Sequence, residues 1–355
     1  IVVVYIEYDG RINTDMSGFY VNKHIDINGN EIRSAVTQFE PTNARRMLPC
    51  LDEPELKATF EVSVIREKAH MVRSNMHLIK TEPFGDGLSI DHFARSVRMS
   101  TYLLAVAVLN NYDCAMKITN KTKSPIEINL CATSAMLVNQ SEFGLTSGLQ
   151  ALEFFESYFD LPYPLKKQDM IALDDFAEGA MENWGMTTYR DILVLLNEEK
   201  SSAKSKETIA LVICHEYAHQ WFGNLVTMKW WNDLWLNEGF ANFMEYVCTD
   251  HSHPEWEIMH TFYLSNYVSG MLADGFHSSH AVSTKVTDPA QIGAIFDAIS
   301  YQKVCFFTQY ANRFPRLFFL SRFRDKILYY SQPIPFVRTI IMLITVRWVM
   351  PNFVV

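Results

Sequence analysis

Residues 215–219 read His215-Glu216-Tyr217-Ala218-His219. On a helix, positions i and i+4 share a face, so both imidazoles point at one spot. Two imidazole nitrogens one turn apart suit the tetrahedral preference of zinc, which holds nitrogen at about 2.0–2.1 Å. Glu216 stands roughly 100° around the helix from His215. From there its carboxylate reaches a water at the metal without itself binding the metal. An amphipathic helix carrying two histidines by chance is the plainer alternative, so the reading needs a third ligand.

Two downstream patterns could supply one. The metzincin pattern places a Gly and a His three and six residues after the second histidine. Here those positions are Phe222 and Leu225, so that pattern fails. The other solution is a carboxylate from a following helix, the His₂Glu set of thermolysin-type enzymes. Asn237-Glu238-Gly239-Phe240-Ala241 offers Glu238, separated from His219 by eighteen residues. Glu245, two turns further on, is either an acceptor for a ligand imidazole or part of a solvated helix face.

The flanking periodicity sets the fold class. Before residue 134 the chain reads as strands and turns. Asp9-Gly10, Asn28-Gly29-Asn30 and Gly85-Asp86-Gly87 are turn signals. Residues 61–65 alternate, with Val62 and Val64 on one face, and 101–109 form a continuous apolar run expected of a strand buried on both faces. Near residue 134 the period changes. Leu145, Leu149, Leu152, Phe155 and Phe159 mark a helix face, ended by Leu161-Pro162-Tyr163-Pro164. Residues 170–173 and 192–196 read as short strands. Ser205 is the expected cap of a long helix running through Trp221, and a second helix is expected over about 237–248. This predicts an antiparallel β domain over 1–133, an α+β unit over 134–303 and a distinct tail over 304–355.

The chain has 355 residues, 48% hydrophobic and 20% charged, with a net charge of −9. Disordered, collagen-like and coiled-coil classes are excluded, and the mild acidity argues against nucleic acid as a partner. Residues 304–355 carry seven basic residues, one acid (Asp325) and no glycine, leaving −15 for residues 1–303. The first residues, Ile1-Val2-Val3-Val4-Tyr5-Ile6, show neither a basic region nor a cleavage site. They read as a strand entered partway, so the chain reads as a fragment. Residues 339–355, interrupted by Arg347 and Pro351, make a poor membrane-spanning helix. Six dispersed cysteines without a C-x-x-C pair read as buried free thiols. Glycosylation triplets start at Asn120 and Asn139.

His215 to His219 followed by Glu238 resembles the gluzincin pattern. Gly179-Ala180-Met181-Glu182-Asn183-Trp184-Gly185 is similar to the exopeptidase signature of the M1 zinc aminopeptidases. The run QWFGNLVTMKWWNDLWLN from Gln220 to Asn237 resembles the same family, as do Thr37-Gln38-Phe39-Glu40-Pro41 and Pro49-Cys50-Leu51-Asp52-Glu53-Pro54. The resemblance covers about residues 5–303, in several independent strings in the right order. It leans toward the ectoenzyme branch, the oxytocinase-like and membrane alanyl or glutamyl types.

The resemblance implies a multidomain protein: a truncated N-terminal antiparallel β-sandwich, then a thermolysin-like α+β zinc-peptidase domain, with a C-terminal helical domain missing. It implies one Zn²⁺ per chain on His215, His219 and Glu238, and substrates that are peptides with a free N-terminus. Glu216 would take a proton from the attacking water and return it to the leaving amine. Tyr301 would hydrogen-bond the developing oxyanion. Glu40 and Glu182 would bind the substrate's terminal ammonium. Gln38 would lie near the first side-chain pocket. Gly179, Ala180, Met181 and Asn183 complete the substrate-binding loop, with Ala180 and Met181 offering backbone groups. The expected location is the plasma membrane as an ectoenzyme, or extracellular, with the cytoplasm as the alternative. Oligomeric state is open.

The resemblance stops after Lys303. Residues 304–355 read either as non-family sequence or as a basic, aromatic segment for a membrane surface or partner. The rival to an active enzyme is a catalytically inactive truncated product, or a remnant that only binds peptides.

Overall fold

The computed structural model describes residues 2–305, 327–329, 340–350 and 353–354. Strand β1 spans Val2–Arg11 and pairs in parallel with Ile340–Met350. The next seven strands are β2 (Gly18–Ile25), β3 (Glu31–Gln38), β4 (Ser63–Glu67), β5 (Met71–Ser74), β6 (Leu78–Pro83), β7 (Leu88–Phe93) and β8 (Val106–Leu109). They form two antiparallel sheets, ordered β2-β3-β8-β5 and β4-β7-β6. Phe19, Val21, Ala35, Val72, Val106 and Val108 of the first sheet share one buried cluster with Val64 and Phe93 of the second. Inward apolar side chains at every second position are what let two sheets bury a common core. The expected sandwich is therefore present.

The run 101–109 is buried throughout, as predicted, but only its second half is a strand. Thr101–Leu103 is a single turn of 3₁₀ helix and Val106–Leu109 is β8.

A mixed five-stranded sheet follows. It comprises β9 (Tyr112–Ile118), β10 (Glu127–Thr133), β11 (Lys167–Leu173), β12 (Ala180–Met181) and β13 (Met186–Arg190), in the order β12-β13-β11-β10-β9. Between β10 and β11 the chain crosses over through α1 (Ser134–Gln140) and α2 (Glu142–Phe159). β10, β11 and β13 run parallel, while β9 and β12 are antiparallel edges. The change of period near residue 134 marks the start of α1. The change of sheet comes earlier, between Leu109 and Tyr112, because β9 pairs with β10, and β10 with β11, rather than with the strands of the sandwich. The expected strand over 192–196 does not form. The carbonyl of Asp191 accepts from Val194 and Leu195 and its side chain from Ile192, which folds the segment into a turn.

Two helices then pack together, α3 (Ala203–Ala218) and α4 (Glu238–Ser252). The cap of α3 is Ser202, not Ser205: its hydroxyl accepts from the Ser205 amide at 3.0 Å. The helix stops before Trp221 because the carbonyls of His219, Gln220 and Trp221 accept from amides five residues on. Gly223 makes that reversal at φ +118°, where an added Cβ would lie 2.2 Å from Oδ1 of Asn237.

The expectation of free thiols holds only for Cys50 and Cys305. Cys114 and Cys131 face each other across the β9–β10 register and are disulfide-bonded, and Cys214 of α3 is bonded to Cys248 of α4. Separations of 17 and 34 residues carry no local signal; only strand register and helix packing bring these thiols together. Among the described residues, no helix is long and apolar enough to cross a membrane.

Candidate metal centre

The last turn of α3 presents His215 and Glu216, and His219 follows as its cap, while α4 opens with Glu238. Nε2 of His215 and Nε2 of His219 lie 2.9 Å apart, and Oε2 of Glu238 lies 3.3 and 3.4 Å from them. A metal about 2.0–2.1 Å from tetrahedrally arranged ligands sets those ligands roughly 3.3–3.4 Å apart. The two edges to Glu238 have this length, and the His215–His219 edge is shorter at 2.9 Å.

The outer nitrogens fix the tautomers. Nδ1 of His215 lies 2.7 Å from Oε2 of Glu245, and Nδ1 of His219 lies 2.6 Å from Oδ1 of Asn237 and 3.0 Å from the Phe222 carbonyl. These partners are acceptors, so each Nδ1 carries a proton. In the neutral rings both Nε2 lone pairs then face each other and the Glu238 carboxylate. Three converging lone pairs in a buried site call for a cation, and among the described residues these three form the one group able to hold a metal ion.

Electrostatics give the same picture. Burial pulls the His215 pKa down, but hydrogen bonds to Glu238 and Glu245 outweigh it and hold it well above the ordinary histidine value. Burial also opposes the charged form of His219, yet the Glu182 and Glu238 carboxylates push it up to about 9. Burial would raise Glu238, but the two imidazoles bring it down. The surrounding carboxylates thus favour positive charge between the two rings.

Glu216 is buried beside this triangle, and its Oε2 has no protein partner. Burial raises its pKa, with the two imidazoles pulling the other way. The Tyr301 ring, in the wide helical turn Ile299–Lys303, lies parallel to His215 at a centroid distance of 6.2 Å and an angle of 8°. Burial and the nearby carboxylates, Glu238 first among them, raise its phenol well above the tyrosine norm.

The loop 179–185 stands at the other side. Ala180 and Met181 form the edge strand β12. Gly179 is exposed and accepts from the Arg190 amide at 2.9 Å. Glu182 is buried and accepts from Nδ2 of Asn237 at 3.1 Å through Oε1. Its backbone carbonyl accepts from Asn224 at 2.9 Å and Gln220 at 3.3 Å. Asn183 is buried with neither amide atom partnered by protein. Gln38, at the end of β3, lies 3.5 Å from the Met181 sulfur. Glu40 lies two residues beyond Gln38, and burial followed by the charges of Glu182, Glu238 and Glu216 raises its pKa well above the usual range. The sandwich and the second unit therefore meet at the site.

Residues 143–314 match the Peptidase family M1 domain, and residues 2–103 match the Peptidase M1 N-terminal domain. The chain belongs to peptidase family M1. Among its M1 relatives, endoplasmic reticulum aminopeptidase 1 of Homo sapiens is 47% identical over 300 residues, covering 84% of this chain and 31% of the relative. Aminopeptidase M1 of Arabidopsis thaliana is 43% identical over 302 residues, 85% of this chain and 33% of the relative. Puromycin-sensitive aminopeptidase of Caenorhabditis elegans is 42% identical over 298 residues, 84% and 31%. The chain thus spans about a third of the length of these curated M1 relatives.

The site also contains groups that the motifs did not single out. Asn237, Gln220 and Asn224 hold His219 and Glu182 in place. Each lies inside a string that resembles the family, but amides carry no spacing signal of their own. Glu245, left open by the sequence, is the acceptor for His215, with its own Oε1 held by Asn242 at 3.0 Å.

Proposed function

We propose that the protein is a zinc-dependent aminopeptidase that removes residues one at a time from the N-terminus of peptides. The observation that carries this reading is the amide of Asn237, which touches both a metal-ligand histidine and a buried carboxylate of the 179–185 loop. The hydrolytic centre and an anchor for positive charge are thereby held side by side.

His215, His219 and Glu238 would hold the zinc, one ion per chain. When bound, zinc supplies Lewis acidity toward water and toward the scissile carbonyl. Glu216 accepts the proton of the attacking water and passes it to the leaving amine. Its buried, unpartnered Oε2 is free for that exchange. Tyr301 donates a hydrogen bond to the oxyanion as it forms. Glu40 and Glu182 bind the substrate ammonium, so the first peptide bond alone reaches Glu216. Gln38 and Met181 border the first side chain. The edge position of Ala180–Met181 suits main-chain pairing with an extended peptide, and Gly179 and Asn183 flank it.

Two disulfides and the exposed acceptors Asn120 and Asn139 favour an oxidising compartment of the secretory pathway or the cell exterior. The test compares an amino-acid 4-nitroanilide with a free amine against its N-acetylated form. Turnover of the free amine alone, lost to 1,10-phenanthroline and restored by zinc, is the expected result. Equal hydrolysis of the two forms would make the enzyme an endopeptidase.

A further inference from the structure

We propose that the Cys214–Cys248 disulfide is a positioning element of the metal site: a covalent clip that keeps the two ligand-bearing helices in register and slows release of the ion. The inference rests on the zinc reading above. Every residue of the ligand triangle belongs to α3, its cap, or the first position of α4. The site is therefore only as rigid as the packing of those two helices. Cys214 immediately precedes the ligand His215. Cys248 lies three residues, about one turn, after Glu245, the acceptor that fixes His215 through Nδ1. The bond thus crosses between the helices at the level of the His215–Glu245 contact.

The opposite end of the triangle is secured differently. There Asn237, at the mouth of α4, accepts from His219. The His215 end has no such connection in the loop, because its partner Glu245 sits in mid-helix. Among the described residues, side-chain packing and the His215–Glu245 hydrogen bond are what would keep that end of α4 against α3 without the disulfide. Both half-cystines are buried, with relative exposures of 3% and 0%. The bond is therefore placed to hold shape rather than to exchange with solvent thiols. The Cys114–Cys131 disulfide joins β9 and β10, strands already paired residue by residue and carrying no metal ligand. It provides an internal control for general stabilisation.

The experiment follows zinc release from the full chain into excess 4-(2-pyridylazo)resorcinol. In Cys214→Ala/Cys248→Ala, release should be at least tenfold faster than in the unmodified protein, the scale on which supporting contacts act on metal affinity. In Cys114→Ala/Cys131→Ala it should be unchanged. Equal release in the first variant and the unmodified protein would overturn the proposal, as would equal acceleration in both variants. Should the first variant not fold, the unmodified protein still decides. Linkage requires that a bond which secures the metal be secured by it in return. At equilibrium in glutathione redox buffers, the fraction of Cys214–Cys248 reduced, read by mass spectrometry, should then be lower with zinc than after chelation. Equal fractions would overturn the proposal. Failure of the unmodified protein to bind stoichiometric zinc would instead overturn the underlying zinc reading.

Discussion

Oδ1 of Asn237 lies 2.6 Å from Nδ1 of His219, while Nδ2 of the same amide lies 3.1 Å from Oε1 of Glu182. One side chain therefore sets the tautomer of a metal ligand and the position of a substrate anchor. Gly223 gives it room, since any side chain there would meet Asn237 at 2.2 Å. Asn237→Ala should lower zinc affinity by about 10–100-fold, the usual effect of removing a ligand's supporting contact, and should raise KM for free-amine substrates. Asn237→Asp keeps the acceptor and loses the donor, so it should retain more zinc than the alanine variant while placing a second carboxylate against Glu182. Chelator competition on the two variants checks the order. Unchanged affinity in Asn237→Ala would mean that the Phe222 carbonyl suffices to orient His219.

Glu216 neighbours a ligand on α3 but takes no part in the 2.9, 3.3 and 3.4 Å triangle. Glu216→Gln keeps the shape and removes the base. The expected outcome is a fall in kcat of about 10²–10⁴-fold with one zinc per chain retained. Zinc content by atomic absorption and turnover of an amino-acid 4-nitroanilide check both halves. Loss of metal together with activity would place Glu216 among the ligands.

The parts of this architecture that depend on local period or on fixed spacing were legible in the sequence. The His215–His219 face, the long α2 and the alternating run at 61–65 follow from neighbours a few residues apart, and Glu238 follows from its fixed spacing after His219. What was not legible depends on distant partners. Asp191 turns a strand-like run because its own carbonyl and carboxylate capture the following amides. Cys114 meets Cys131 only through register, and Cys214 meets Cys248 only when α3 packs on α4. Tyr112–Ile118 alternates like a sandwich strand, and only its pairing with β10 assigns it to the other sheet. Glu245 could have faced solvent equally well until the crossing of α3 and α4 turned it toward His215.

Lys167 supports the anchor loop from behind. Its buried ammonium lies 2.7 Å from Oδ2 of Asp169 and 2.7 Å from the carbonyl of Gly185. Asn75 of the sandwich donates to the next carbonyl, that of Trp184, at 3.0 Å. Lys167→Met would leave Asp169, which is fully buried, without its counter-charge. The expected loss is about 3–5 kcal/mol of unfolding free energy, as for other buried pairs broken on one side. Removing both charges in Lys167→Met/Asp169→Leu should recover most of it. Urea unfolding of the two variants measures the difference. A loss below about 1 kcal/mol in the single variant would mean that Asn129, 3.0 Å from Oδ1 of Asp169, already satisfies the carboxylate.

Lys57 gives the fold a pH dependence of its own. It is buried where the sandwich meets the turn after α3, with Nζ 3.1 Å from the Asn224 carbonyl and 3.5 Å from that of Leu225. Burial, with the Arg98 guanidinium adding to it, lowers its pKa to about 7. In the unfolded chain the same amine titrates at about 10.4. Below pH 7 both states hold the proton and the full penalty of burying charge is present. Between about pH 7 and 10 the unfolded state binds more protons than the folded one, so the unfolding free energy rises with pH. Relative to Lys57→Met, which carries no proton in either state, the unmodified protein should gain about 2 kcal/mol between pH 7 and pH 9. Urea unfolding of the pair at pH 7, 8 and 9 cancels every other titrating group they share. Parallel stability curves would show that the two carbonyls keep Lys57 protonated throughout that range.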